Sequence, residues 1–159
     1  MSVHESWLAS MQRYREELLN KKGVRLTLPP PSLQELGLEY LEVSPGKKIL
    51  ARVPFQSKFT NPIGLYQGGF LAAALDEVFG PLSYITAQGP CMTLAMNVSY
   101  LKAFTQKQGF CLIEAEVLKK TSTLIFMRAD VKTPEGDLMA HAETHVSILR
   151  EDQLRGLKP

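Results

Sequence analysis

The chain predicts an α+β domain, an antiparallel sheet of about six strands wrapped around one long central helix. Three observations lead there. One apolar helix stands in mid-chain, over residues 68–86. Two strand-like stretches precede it and four follow, joined by short turns. Those stretches alternate apolar and polar residues, the mark of a sheet with one covered face. The 68–86 helix is the long apolar helix able to cover that face.

The stretch Asn61–Tyr84 reads NPIGLYQGGFLAAALDEVFGPLSY. Asn61-Pro62 and Gly64 are turn formers. Gly68-Gly69 then open a helix, leaving unpaired backbone N–H groups at its positive end. Leu71, Ala74, Leu75, Val78 and Leu82 fall on one stripe at helical spacing, the face expected to be buried. Asp76 stands roughly 140° from the centre of that stripe, counting about 100° per residue. Its neighbours there are Ala73, Gly80 and Ser83. A carboxylate on a bare face of an apolar helix points to close approach by another chain or a ligand.

Ahead of this stretch, Ser2 and Glu5 have capping-box spacing. Trp7, Leu8, Met11, Tyr14 and Leu18 follow at helical intervals, with Gly23 as the stop. Pro29-Pro30-Pro31 interrupts regular structure, and Ser32 and Glu35 suggest a second capping box over a short turn. Leu38–Val43 and Lys48–Phe55 read as strands around a Ser44-Pro45-Gly46-Lys47 turn, Pro54 marking an edge or an early end. Beyond the helix, Gln88-Gly89-Pro90 breaks the chain. Cys91–Leu101 reads as a strand with Leu94, Met96, Val98 and Tyr100 on one face and Ala95, Asn97 and Ser99 on the other. Phe110–Lys119 alternates well and Leu124–Lys132 less cleanly. A Thr133–Asp137 hairpin loop leads to Leu138–Leu149, with Leu138, Ala140, Ala142, Val146 and Ile148 on its apolar face. The organisation expected is an N-terminal helix and Pro-rich connector over 1–35, the sheet-and-helix domain over 36–149 and a polar, mobile tail over 150–159.

Composition narrows the function classes. The 159 residues suffice for one domain with a real core, and 45% hydrophobic with 21% charged residues is ordinary for a globular protein. A net charge of +2 leaves no bulk nucleic-acid footprint. No apolar run approaches the roughly 18 residues of a membrane span. Two isolated cysteines, Cys91 and Cys111, and no secretory leader fit a reduced, cytoplasmic setting. There is no G-x-S-x-G elbow, phosphate loop or dinucleotide glycine pattern. His141 and His145 lie on a strand, roughly 13 Å apart at about 3.3 Å per residue, too far to share a metal ion.

The pattern N-x-x-G-x-x-Q-G-G-x6-D from Asn61 to Asp76, with M-N-V-S-Y from Met96 to Tyr100, resembles the hotdog-fold acyl-CoA thioesterases. The nearest branch is the 4-hydroxybenzoyl-CoA and phenylacetic-acid-degradation thioesterases. The likeness covers about residues 36–149. It implies that the sheet swallows the helix, that chains pair as a dimer or dimer of dimers, and that the thioester sits at the interface. Asp76 matches the acidic residue serving as general base or nucleophile. Gly69 matches the helix-start residue whose N–H polarises the thioester carbonyl. Asn61 matches a loop residue that places water or carbonyl, and Thr93 a strand hydroxyl that holds the water. Gln67 replaces the usual histidine before the glycines; its amide donates to a carbonyl oxygen but carries no charge. Lys102, Lys119 and Lys120, near strand ends, are candidates for the coenzyme A phosphates. No cofactor is expected beyond coenzyme A as part of the substrate, and no metal.

Hydrolysis needs a base or nucleophile and a cradle for the developing oxyanion. Residues 69 and 76 are about 10 Å apart along one helix axis at 1.5 Å per residue; a two-fold dimer can bring Asp76 of one chain to Gly69 of the other, which makes oligomerisation part of the expected mechanism. The bland alternatives are ordinary ones. Asp76 could be a solvated or salt-bridged helix residue, with Glu77 as rival acid about 100° around the helix. Asn61 and Gln67 could be plain loop residues, Thr93 a plain strand residue and the lysines solvated strand ends. A non-catalytic acyl-CoA or fatty-acyl binding protein is the functional alternative, motivated by Gln67. A hotdog dehydratase is the third, without a matching loop histidine.

Overall fold

The computed structural model of the chain describes residues 1–22 and 27–155, the side chains of 18–22, 151 and 155 falling outside that description. Among these residues, four α-helices and six strands follow one another. They are α1 Val3–Lys22, α2 Pro31–Leu36, β1 Glu39–Ser44, β2 Lys48–Pro54, α3 Gly68–Ala87, β3 Cys91–Tyr100, β4 Phe110–Lys120, β5 Leu124–Lys132, β6 Leu138–Ile148 and α4 Glu151–Arg155. The strands form one antiparallel sheet in the order β1-β2-β4-β5-β6-β3. The connection through α3 carries the chain from β2 to the far edge, where β3 pairs only with β6. α3 then lies against β2, β3, β4, β5 and β6 on one face of the sheet, as the hotdog arrangement requires.

Alternation explains why this face is the covered one. Ile49, Ala51 and Val53 of β2, Cys111, Ile113 and Ala115 of β4, and Ile125, Met127, Ala129 and Val131 of β5 are all buried. They meet the α3 stripe Leu71, Ala74, Leu75, Val78 and Leu82, joined by Phe79 and Ser83. Each large side chain so buried contributes about 1.5–3 kcal/mol. Ser83 therefore does not share the bare side with Asp76. Its hydroxyl donates to Gly80 O at 2.7 Å, a local bond that lets a polar side chain sit in the core. β5 alternates more cleanly than its sequence suggests, because its intervening polar residues all point outward. In β6, Leu138 is exposed and Met139 and Thr144 join the buried set instead.

Several local expectations need correction. The Ser2/Glu5 capping box forms, Glu5 N–H donating to Ser2 Oγ at 3.1 Å and Ser2 N–H to Glu5 Oε2 at 2.7 Å. The second box does not. Helix α2 starts on Pro31 with no side-chain cap; Ser32 is drawn to Glu77 and Glu35 to Lys58. Trp7 and Met11 of α1 are buried in the common core; the Leu18 side chain and the Gly23 stop lie outside the described residues. Of the two alternatives at Pro54, the early end holds and the edge does not: β2 stops at Pro54 and runs between β1 and β4. Of the tail, residues 150–155 are described: Arg150 N–H donates to Gln153 Oε1 and Leu154 of α4 is buried. No described helix is long and apolar enough to cross a membrane.

Pro81 lies inside α3. It has no N–H to give the carbonyl four residues back, which belongs to Glu77. The buried Tyr40 of β1 supplies the missing donor, its hydroxyl reaching Glu77 O at 3.2 Å. Tyr40→Phe is expected to destabilise the fold by about 1–2 kcal/mol, since it leaves that carbonyl unpaired. Pro81→Ala, which restores the N–H, should recover part of the loss. Urea denaturation of the single and double variants measures this coupling, and additive effects would show that the two residues do not serve the same carbonyl.

Candidate active site

The loop before α3 is pinned before any chemistry is considered. Asn61 Oδ1 accepts the N–H groups of Ile63 at 3.1 Å and Leu65 at 3.0 Å, folding the chain back on itself. Asn61 N–H donates to Leu65 O, Tyr66 N–H to Phe104 O and Gln67 N–H to Phe59 O. Phe55, Phe59, Tyr66, Phe70 and Phe104 interlock around this loop, with ring centroids 4.4 Å apart for Phe59–Phe70 and 4.9 Å for Tyr66–Phe104. So the acceptor of Asn61 is committed to the turn, and its amide hydrogens are what remain for a ligand.

Gln67 is the N-cap of α3, with extended backbone and no side-chain cap. Its carbonyl takes the N–H groups of Phe70 and Leu71. The N–H groups of Gly68 and Gly69, in the first turn, have no carbonyl within the helix to reach. At Gly69 an added Cβ would meet nothing within 4 Å. Gly69 is exposed at the positive end of α3, so its N–H is a candidate donor to an oxyanion.

Asp76 stands exposed two turns further on. Thr93 Oγ1 donates to its Oδ1 at 2.9 Å. This pairing depends on a bulge in β3. Thr93 pairs with Val146 and Ala95 with His145, so Leu94 is an extra residue. Without the bulge Thr93 would share the outward side of Ala95, Asn97 and Ser99; with it, Thr93 joins the buried row of Val146 and faces α3. Leu94, expected on the apolar face, is instead 49% exposed. Bulges at sheet edges commonly re-aim one side chain in this way.

Glu77, the rival acid, is turned elsewhere. Its carboxylate accepts the Ser32 hydroxyl at 2.6 Å. Burial pushes its pKa up, opposed by the Ser32 bond. It is occupied by α2, whereas Asp76 is exposed and accepts the Thr93 hydroxyl.

The three lysines do not form one cluster within a chain. Lys120 lies across β4, β5 and β6 in the same row as Thr93, whereas Tyr100, two residues before Lys102, lies in the row of Ala140 at the opposite end. Those rows are about 20 Å apart at 3.3 Å per residue. Lys120 Nζ donates to Thr86 O near the C-terminus of α3, and Lys102 pairs with Asp137 at 2.6 Å. His141 is bonded to Asp130, and His145 stacks on Phe126. A cavity of about 880 Å³ opens between α1 and the C-terminal end of α3, lined by Trp7, Met11, Tyr14, Val43 and Ile85 among others, and contains none of the site residues. Gln67, Gly69, Asp76 and Thr93 are exposed on the single chain.

Sequence reading missed the part played by Tyr100. It was visible as the end of M-N-V-S-Y, but only the folded chain lays its ring on Gly68. There its hydroxyl donates to Gly68 O at 2.6 Å, and an added Cβ would come within 2.9 Å of Cζ.

Comparison with known proteins agrees with this architecture. Residues 64–140 match the family model described as the thioesterase superfamily. A Saccharolobus solfataricus protein provisionally named an esterase is 27% identical over 117 residues, 72% of this chain and 81% of its own length. A phenylacetic acid degradation-related protein of Ralstonia eutropha, provisionally described as a thioesterase, superposes with a TM-score of 0.70 at 24% identity, covering 85% of this chain and 99% of that one. A Streptococcus mutans protein solved bound to acetyl-CoA superposes with a TM-score of 0.66 at 19% identity, covering 70% and 88%. The matched segment contains the Gly-Gly turn, Asp76, Thr93 and Tyr100, set on the helix and edge strand just described, so the chain has the hotdog fold and over these residues resembles the thioesterase superfamily.

Proposed function

We propose that the chain is an acyl-CoA thioesterase acting on a medium-chain or aromatic acyl group, with Asp76 as general base or nucleophile. The observation that carries this is the 2.9 Å Thr93–Asp76 hydrogen bond on an otherwise bare, exposed helix face. In the base route, Thr93 holds a water against Asp76. The carboxylate takes the water's proton as its oxygen bonds to the thioester carbon. The carbonyl oxygen, now an oxyanion, rests on Gly69 N–H, with the Gln67 and Asn61 amides as further donors. The C–S bond then breaks and the proton passes from Asp76 to the leaving thiolate. In the nucleophile route, a carboxylate oxygen of Asp76 bonds to the carbonyl carbon, the C–S bond breaks and the thiolate leaves, taking a proton from solvent, and water then cleaves the mixed anhydride to release the acid and restore the carboxylate. The acetyl-CoA bound by the Streptococcus mutans protein supports coenzyme A as the thiol carrier. Lys102, Lys119 and Lys120 are proposed for its phosphates.

The reading requires two chains, because Gly69 and Asp76 of one helix are about 10 Å apart. The unpaired side of β3 is where a second copy would join: a ten-residue edge strand with Met92, Leu94 and Tyr100 exposed and Leu101 just beyond. A panel of acyl-CoA substrates read with a thiol-detecting dye tests the activity. Thiol release from medium-chain or aromatic acyl groups is the expected outcome, and tight binding without release would assign the chain to acyl-CoA binding instead. Light scattering at micromolar concentration should show at least a dimer; a fully active monomer would sink the two-chain site.

A further inference from the structure

Gly68 C=O and Gly69 N–H are the two ends of one peptide group. The Tyr100 hydroxyl donates to that carbonyl at 2.6 Å. Its ring occupies the space a side chain at residue 68 would need, the nearest atoms standing 2.9 and 3.2 Å from an ideal Cβ. The contact therefore bears on the peptide plane whose other end is the proposed oxyanion donor.

We propose that Tyr100 is a positioning residue for thioester hydrolysis, holding and polarising the Gly68–Gly69 peptide so that the Gly69 N–H is aimed at the oxyanion before substrate arrives. The proposal rests on the reading of Gly69 given above. Two physical effects act together. A hydrogen bond from Tyr100 adds to the one this carbonyl accepts within the helix and further restrains the plane at a flexible Gly-Gly pair at the helix end. It also draws electron density toward oxygen, making the N–H at the other end a stronger donor, as in any hydrogen-bonded chain. Gly68 is the residue that allows the ring to lie this close. Tyr100 ends the edge strand, in register with the buried Ala140 of β6, so the sheet carries the phenol to the helix start. Partial burial raises its pKa above that of a free phenol, which keeps the hydroxyl protonated and donating.

The test is Tyr100→Phe, which keeps the ring and removes the donor. Two readouts are taken, the 15N–1H amide resonance of Gly69 and steady-state kinetics on the best acyl-CoA of the panel. The Gly69 resonance is expected to move beyond those of other residues as far from the ring. kcat is expected to fall about three- to tenfold, the scale of one hydrogen bond, with KM unchanged. Tyr100→Leu, which also removes the ring, should lose at least as much. An unmoved Gly69 resonance, a moved resonance with normal kcat, or a rise in KM alone would each overturn the proposal. Asp76→Asn run alongside separates the two levels of inference. If that variant keeps full turnover, the assigned site is wrong, while the Gly69 resonance still decides whether Tyr100 acts on this peptide.

Discussion

Replacing Asp76 with alanine or asparagine is expected to lower thioester turnover by at least about two orders of magnitude, the usual scale for a positioned base. Asparagine keeps the shape and still accepts the Thr93 hydroxyl, so its failure would isolate the missing charge. The fold should survive both changes. Asp76 is exposed, and the bond it loses to Thr93 is offset in part by the better helix propensity of alanine. Glu77→Gln is the matched control. It keeps an acceptor for Ser32 and removes a charge that burial already disfavours, so activity and folding should both persist. Initial rates under saturating substrate, with circular dichroism on each variant, decide the matter. A folded, active Asp76→Ala beside a dead Glu77→Gln would transfer the role to Glu77. Activity in both would point away from carboxylate catalysis.

Gly69→Pro should be the second most damaging change, lowering kcat about 10²–10³-fold, as when one oxyanion donor is removed elsewhere. The ring deletes the N–H and little else. At the second helical position that N–H has no intrahelical partner, so the helix loses no hydrogen bond. Gly68, with no Cβ, tolerates the following ring better than other residues would. Gly69→Ala is the comparison. Its Cβ points into open space and its N–H is kept, so it should fold with up to about 1 kcal/mol more stability and lose far less activity. Equal losses in the two variants would mean that space at residue 69, not the N–H, is what matters.

Much of this was legible in the chain itself. The buried stripe of α3 follows from Leu71, Ala74, Leu75, Val78 and Leu82 at helical spacing, and the helix start from Gly68-Gly69. The sheet was readable from period-two alternation, because a strand with one covered face must write that face into its sequence. What local pattern could not settle were contacts between segments distant in sequence. Ser32 and Glu35 carry a capping signature, yet Glu77 and Lys58 compete for their side chains once α2 packs near α3. Pro81 sits inside a helix because Tyr40, from another element, answers the orphaned carbonyl. Thr93 faces Asp76 only because Leu94 bulges, and a one-residue slip reverses every side chain beyond it. Residue types and periodicity determined the elements and the chemical groups on offer. The pairing of Asp76 with Thr93 rather than Glu77, and of Tyr100 with Gly68, was decided by register and packing, which depend on the whole sheet closing over one helix.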